Sequence, residues 1–283
     1  MTEILSGKKL AAEIRDEVAE AVQNLQASGI NPTLAVVVAT EEESTEFYVR
    51  HITKAAGSTG VRVDVIRLDA DASHDQIASE ITRLASDKSV HGIILQTPLP
   101  DEVNVENLRS LIPVEKDIDG ANPLSAGRLV CGMEAFAPTT AVAVMEILKR
   151  YDLPVAGTHA VIIGRSLVVG KPLASLLLAK DATVTVCHSK TRNLNEVSRQ
   201  ADILVVAIGR SHMIGADYVK RGAIVIDVGT NVVEDGSLAG DVDSQAIQDT
   251  AGAFSPVPGG VGPVTTALLL KQTVQAAQTL QQG

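Results

Sequence analysis

The chain has 283 residues, 45% of them apolar and 2% aromatic, with no Trp and a formal net charge of −10. That length suits two domains with a large buried core. The acidic balance argues against nucleic acid or an anionic membrane as a partner, and so few rings argue against a stacking platform for single strands.

Cys131 and Cys187 are the only two cysteines. They lack metal-ligand spacing and are too few for a disulfide framework, so no metal is expected and the expected setting is a reducing, cytoplasmic one. The opening Met1-Thr-Glu-Ile-Leu-Ser6 has neither the basic nor the apolar part of a signal peptide. No apolar run approaches the roughly 20 residues of a membrane span.

Leu10, Ile14, Val18, Val22 and Leu25 recur three or four apart, which predicts an amphipathic opening helix ending near Gly29. Strand-like runs at Leu34–Ala39, Val61–Leu68 and Gly92–Thr97 then alternate with helical stretches near 44–58 and 74–86. Such alternation predicts βαβ units and a parallel sheet. Loop signals dominate 101–140, and a helix from about Thr140 to Arg150 leads onward. Further strands are predicted at His159–Gly164, Thr183–Cys187, Ile203–Ala207 and Ala223–Val228. Pro256-Val-Pro-Gly-Gly-Val-Gly-Pro263 reads as a rigid turn without regular structure, before a final helix over about 264–281. The expectation is an α/β protein of two domains, 1–139 plus 265–283 and 140–264.

Val161-Ile-Ile-Gly164-Arg165-Ser166-Leu-Val-Val-Gly170-Lys-Pro172 follows a buried strand and opens a helix. Glycines there permit a tight turn and bring a pyrophosphate close to N–H groups at a helix start. Ser166 stands at the second glycine of the usual dinucleotide motif, so a plain βα turn remains an alternative. At the end of the next strand, Val186-Cys187-His188-Ser189-Lys190, there is no acid to bond a ribose 2′-hydroxyl. Ser189, with Arg165, Lys190 and Arg192, can meet a 2′-phosphate instead, which favours NADP over NAD. Lys190 and Arg192 read equally well as solvated loop charges, and His188 is given no catalytic role.

Several segments, in order, make the likeness specific: Gln96-Thr-Pro-Leu-Pro100, Lys116-Asp-Ile-Asp-Gly120, Gly164-Arg-Ser with Val-Gly-Lys-Pro172, His188-Ser-Lys-Thr191, Asp227-Val-Gly229, Gly240-Asp-Val-Asp243 and Pro256–Pro263. Over nearly its whole length the chain resembles the FolD-type methylenetetrahydrofolate dehydrogenase/methenyltetrahydrofolate cyclohydrolase family. The resemblance implies a homodimer whose protomers have a folate-binding catalytic domain, a Rossmann-type NADP domain and a cleft between them. It implies tetrahydrofolate derivatives as substrates. Tyr48 matches the tyrosine that packs on the folate, Gln96 the glutamine that bonds the catalytic lysine, and Asp119 the aspartate that fixes the pterin; these three form the implied catalytic set. Gly259, Gly260 and Pro263 match the loop bordering folate and nicotinamide. The implied cofactor contacts are Gly164, Arg165, Ser166, Gly170, His188, Ser189 and Thr230.

One position departs sharply. The family's catalytic lysine lies four residues after the tyrosine, and here that residue is Ile52. At about 100° per residue, Ile52 lies about 40° from Tyr48, whereas Lys54 lies about 240° around and points away. His51, about 60° from Tyr48 on the other side, is a proton carrier near neutral pH, or simply an exposed helix residue. Thr97, Thr140 and Ser255 are milder departures, standing where the family usually has Leu, Pro and Thr. Three readings follow: a dehydrogenase with weak or lost cyclohydrolase activity, a bifunctional enzyme giving 10-formyltetrahydrofolate, or a non-catalytic folate- or nucleotide-binding relative.

Overall fold

The structure, a computed structural model, describes residues 2–233 and 236–281. In chain order it runs β1 (Glu3–Ile4), α1 (Gly7–Ala27), β2 (Thr33–Val38), α2 (Glu43–Gly57), β3 (Arg62–Arg67), α3 (His74–Ser86) and β4 (Gly92–Leu95). The short helices α4 (Val105–Ser110) and α5 (Pro123–Val130) precede α6 (Thr139–Arg150). Then come β5 (His159–Ile163), α7 (Gly170–Leu178), β6 (Thr183–Cys187), α8 (Leu194–Ser198), β7 (Ile203–Val206) and β8 (Ile224–Asp227). A small antiparallel pair, β9 (Asn231–Val232) and β10 (Leu238–Ala239), is followed by α9 (Ser244–Ile247), β11 (Ala253–Phe254) and α10 (Val261–Thr279).

Two compact units result. One comprises Ala12–Thr139 and Thr266–Gly283. Its sheet has the order β3-β2-β4, all parallel, with Val36 opposite Val65 on one side and Ile94 on the other. All six residues of β2 are buried, as expected of a central parallel strand covered on both faces. Ala35, Val37, Ile77, Ile81, Leu84, Ile93 and Leu108 share one core, which fastens α3 and α4 to the sheet. α3 starts on a reciprocal capping box between Ser73 and Gln76. The Lys116 ammonium closes its far end, donating to the carbonyls of Leu84, Ala85 and Asp87 at 3.3, 2.9 and 2.6 Å.

The other unit holds a six-stranded sheet in the order β1-β11-β8-β7-β5-β6, every pairing parallel. From β5 the chain pairs with β6 on one side and β7 on the other, so the strand order reverses at β5. Ligands of open α/β sheets bind beyond the carboxyl ends of the strands at such a point, which is where the Gly164 turn lies.

The predicted strands and the helices over 44–58, 74–86 and 140–150 form within two residues of their expected bounds. Two expectations change. The first eleven residues group with 140–265 rather than with 12–139. Glu3 and Leu5 donate N–H groups to Gly252 and Phe254 at 3.0 and 2.9 Å, which adds β1 to the edge of the larger sheet. Second, Val261, Gly262 and Pro263 are not irregular but form the first turn of α10. Proline fits there because the first-turn N–H groups have no intrahelical partner anyway.

Buried carboxylates tie down the loops after β7 and β8. Asp241, wholly buried, accepts the N–H groups of Ile208, Gly209 and Arg210 at 2.6, 3.0 and 2.7 Å and the Asn231 amide at 2.9 Å. Asp227 accepts the N–H groups of Gly229, Asp241 and Val242 at 2.9, 3.1 and 2.9 Å. A Cβ at residue 240 would stand 1.9 Å from Asp227 Oδ2, so only glycine fits. Asp241→Ala strands several donors at once and is expected to cost at least about 3 kcal/mol, read as a lower denaturation midpoint, whereas Asp243→Ala at the start of α9 should cost only about 1 kcal/mol.

Candidate active site

In α2, Thr45, Val49, Ile52 and Ala56 form the buried stripe, the three-and-four spacing of a core-facing helix. Ile52 has no exposed surface, so the residue one turn after Tyr48 is a core side chain. Tyr48 is only partly buried. Burial first, and the Asp119 carboxylate second, push its phenol well above the usual tyrosine range. It therefore stays protonated through neutral pH and is available as a hydrogen-bond donor.

The two nearby side chains able to carry a proton in place of a lysine face elsewhere. His51 is exposed; its Nδ1–H donates to the Phe47 carbonyl at 2.8 Å and its ring lies on that of Phe47, centroids 4.0 Å apart. Lys54 is exposed as well. Gln96 follows β4 and continues the ladder through its N–H to the Val37 carbonyl at 2.9 Å. Its side chain is buried, and among the described residues its carboxamide has no hydrogen-bond partner.

Lys116-Asp-Ile-Asp-Gly120 divides its labour by position. Asp117, buried, accepts the N–H groups of Ala121 and Asn122 at 2.9 Å each and the Ser125 hydroxyl at 2.6 Å. Ile118 fills the core, where a Cβ at Gly92 would come within 2.8 Å of it. Gln272 of α10 donates to the Ile118 carbonyl and, at 3.3 Å, to that of Ala137. Gly120 adopts φ +58°, and a Cβ there would stand 2.7 Å from the backbone of Phe136 to Pro138. Asp119 is thus presented by a loop fixed on both sides, and it accepts the Thr139 hydroxyl at 2.8 Å. Burial raises its carboxyl above the usual range, opposed by the Thr139 hydroxyl and N–H and by the Arg109 charge.

Tyr48 and Asp119 are therefore neighbours in one unit, whose buried positions also include Ile52 and Gln96. The sequence reading missed Asp117 and Thr139. Asp117 was visible as a second acid within the same motif. Nothing marked Thr139, because its bond to Asp119 spans twenty positions.

The other unit holds the remaining candidates. Gly164, at φ +132°, packs so tightly that a Cβ would lie 2.3 Å from the Ala207 carbonyl oxygen; at Gly170 a Cβ would lie 2.2 Å from that of Gly164. The Ser166 hydroxyl accepts the Val169 N–H at 3.1 Å. These contacts shape the turn that opens α7 and leave Arg165 and Ser166 exposed. His188 organises the next turn: its Nδ1 accepts the Lys190 N–H at 3.1 Å, and its own N–H donates to Thr191 Oγ1 at 2.9 Å. Ser189 beside it is exposed. Thr230, also exposed, sits between Gly229 and Asn231, the residues bonded to Asp227 and Asp241. The Gly259 carbonyl accepts the N–H groups of Gly7 and Lys8 at 2.8 and 3.2 Å, and a Cβ at Gly260 would lie 2.5 Å from the Pro256 carbonyl oxygen. The glycine turn, the opening of α7, and an arginine and a serine in place of an acid fit a phosphorylated dinucleotide.

Residues 5–119 match the catalytic domain of tetrahydrofolate dehydrogenase/cyclohydrolase, and residues 138–281 match its NAD(P)-binding domain. The chain belongs to the tetrahydrofolate dehydrogenase/cyclohydrolase family. It is 53% identical over 276 residues to bifunctional protein FolD 1 of Saccharopolyspora erythraea, covering 98% of this chain and 94% of that one. It is 54% identical over 274 residues to the bifunctional protein FolD of Parafrankia sp., covering 97% and 98%. Among solved structures, the bifunctional FolD enzyme of Campylobacter jejuni superposes with a TM-score of 0.97 at 40% identity over 99% of both chains. The Trypanosoma brucei enzyme, solved with NADP and an inhibitor, gives 0.95 at 34% identity, covering 100% of this chain and 99% of that one.

Burial, opposed by the Ser125 hydroxyl and two backbone N–H groups, raises the Asp117 carboxyl to about 6. Because its folded value exceeds the ordinary 3.8, its contribution to stability is complete below that ordinary value and is lost as pH rises through about 6. A carbon-13 NMR titration of the carboxyl should show a midpoint near 6. Ser125→Ala, which removes a donor to the ionised form, should move that midpoint higher.

Proposed function

We propose that the chain is an NADP-dependent methylenetetrahydrofolate dehydrogenase whose cyclohydrolase step is weak or lost. The observation that carries the second half is Ile52: the position that the resemblance assigns to the family's lysine holds a core side chain without exposed surface. Tetrahydrofolate derivatives as substrates, NADP as cofactor, a homodimer and a cytoplasmic setting complete the reading, and they rest on family membership together with the residues above.

The two activities ask different things of a protein. Oxidation of the methylene compound moves a hydride between carbons and depends on alignment; NADP, when bound, supplies the hydride acceptor. In this reading Tyr48 packs on the folate and Asp119 accepts paired N–H groups of the pterin, as a carboxylate does from a guanidinium. Gly259, Gly260 and Pro263 border the reacting edge, while Gly164, Arg165, Ser166, Gly170, His188, Ser189 and Thr230 hold the cofactor. Hydration of the methenyl product needs water activated and a proton moved, and isoleucine does neither. His51 is turned to Phe47, and Gln96 keeps a carboxamide without the charged partner that it has in the family. The second reading, full bifunctionality, is favoured by the naming of relatives above 50% identity as bifunctional; it requires another proton carrier.

Cofactor choice is testable at Arg165. NADP should give the higher kcat/KM, and Arg165→Ala should weaken NADP more than NAD. Equal losses for both would remove the 2′-phosphate role and point to a pyrophosphate contact.

The separation of activities is testable by following NADPH formation and methenyl decay independently. The unmodified protein should oxidise the methylene compound and accumulate the methenyl compound, since general acid–base groups contribute about 10²–10⁴-fold. Ile52→Lys should raise hydrolysis and lower thermal stability together, because its ammonium must leave a buried site along its own stem. Methenyl hydrolysis by the unmodified protein well above the buffer rate would refute the reading, and His51→Ala would then show whether the imidazole has taken over.

A further inference from the structure

Asp119 differs from the buried acids of the fold in how few donors it gathers. Asp117 accepts two backbone N–H groups and a hydroxyl, and Asp241 accepts three N–H groups and an amide. Those carboxylates are used up by the backbone around them. Among the described residues, every hydrogen bond to the Asp119 carboxylate comes from one residue, Thr139, whose hydroxyl donates to Oδ1 at 2.8 Å and whose N–H adds to it. An ionised carboxylate has about four lone-pair sites, so Asp119 keeps acceptor capacity for a ligand that presents two N–H groups.

Thr139 in turn has no other use for its hydroxyl. The residue is 1% exposed, and Asp119 is the one acceptor that the hydroxyl meets among the described residues. The two segments are fixed to each other from behind. Gln272 of α10, itself buried, donates to the carbonyls of Ile118 and, at 3.3 Å, Ala137, the residues just before Asp119 and just before Pro138. A Cβ at Gly120 would stand 2.7 Å from the backbone of the same Phe136–Pro138 segment, so only glycine allows that approach. The hydroxyl therefore meets the carboxylate from a backbone that cannot drift. A free carboxylate rotates in a broad, roughly two-fold well, and a hydrogen bond to an ionised acceptor is about twice as strong as a neutral one. One hydroxyl on Oδ1 is enough to select an orientation.

We propose that Thr139 is a positioning residue for folate: from the start of α6 its hydroxyl fixes the rotation of the Asp119 carboxylate and leaves the remaining lone pairs to the pterin N–H pair. The proposal rests on the assignment of Asp119 as the pterin anchor and deepens it. Thr139 acts through Asp119 and takes no part in hydride transfer.

The test separates hydroxyl from shape at position 139. Thr139→Val keeps the branched shape and removes the donor, Thr139→Ala removes both, and Thr139→Ser keeps the donor alone. For the full chain, 5,10-methylenetetrahydrofolate KM and kcat are measured with saturating NADP, and tetrahydrofolate Kd is measured by calorimetry without it. Thr139→Val and Thr139→Ala should each raise folate KM and Kd about ten-fold, the scale of one hydrogen bond to a charged group. Their kcat and NADP KM should change little, as where an interaction serves ground state and transition state alike. Thr139→Ser should keep most of the affinity. In an Asp119→Ala background the hydroxyl has no carboxylate to hold, and Thr139→Val should add little. Unchanged folate binding in Thr139→Val would overturn the proposal. So would Thr139→Ser behaving like Thr139→Val, an equal factor from Thr139→Val with and without Asp119, or a loss of NADP affinity matching the loss of folate affinity. Asp119→Ala binding folate as the unmodified protein does would instead overturn the assignment of Asp119. Thermal melts of each variant separate these outcomes from loss of fold.

Discussion

Loops between regular elements carry backbone N–H groups that no helix or ladder satisfies, and in this protein buried carboxylates satisfy several of them. Asp117 does so in the catalytic unit, and Asp227 and Asp241 do so in the nucleotide-binding unit. A buried carboxylate is costly unless it gathers donors, and burial indeed raises Asp117 and Asp227 to about 6. The cost is offset by loops that have one conformation. Asp119 is presented by the loop that Asp117 fixes, and Thr230 sits between residues bonded to Asp227 and Asp241. In each unit, one set of acids holds the backbone beside a residue to which the proposed function assigns a ligand.

That division explains which motifs could be assigned roles from the sequence and which could not. Lys116-Asp-Ile-Asp-Gly120 reads as a unit in one dimension, yet Lys116 caps α3, Asp117 gathers N–H groups, Ile118 fills the core and Gly120 allows a 2.7 Å approach to another loop. Asp227-Val-Gly229 and Gly240-Asp-Val-Asp243 carried the family likeness without any stated purpose. Their glycines are required by each other's aspartates, since Gly229 meets Asp241 and Gly240 meets Asp227. Ser255 joins the same network, its hydroxyl accepting the Asp227 N–H at 2.8 Å. Its departure from the family residue therefore keeps the oxygen that matters.

The periodic elements were legible because burial wrote them locally: the spacing of α1, the unbroken apolar run of β2 and the alternation of strand and helix each follow from facing one core. Contacts between distant segments were not legible. The pairing of β1 with β11 depends on two residues at the start of the chain meeting an edge some 250 positions later. The bond from Thr139 to Asp119 and the bonds from Gln272 to Ile118 and Ala137 are equally non-local. The helical first turn at Val261-Gly-Pro263 was hidden by composition, since the residues that usually break a helix are tolerated in a first turn, whose N–H groups are not used by the helix's own ladder.

Position 52 shows how a single helical face can serve two demands. Tyr48 and Ile52 are one turn apart, and between them the helix passes from the partly buried edge of α2 to the middle of its core stripe. A lysine at position 52 of this chain would have to thread its stem through packed apolar neighbours and deliver an ammonium to the edge, at a cost in stability. Isoleucine removes the cost and completes the stripe with Val49 and Ala56. An isoleucine carries no proton, while Tyr48 and Asp119 remain neighbours beside it. In the proposed function, hydride transfer depends on that alignment and proton transfer on a group that isoleucine does not supply, and it is on this difference that the proposal separates the two chemistries.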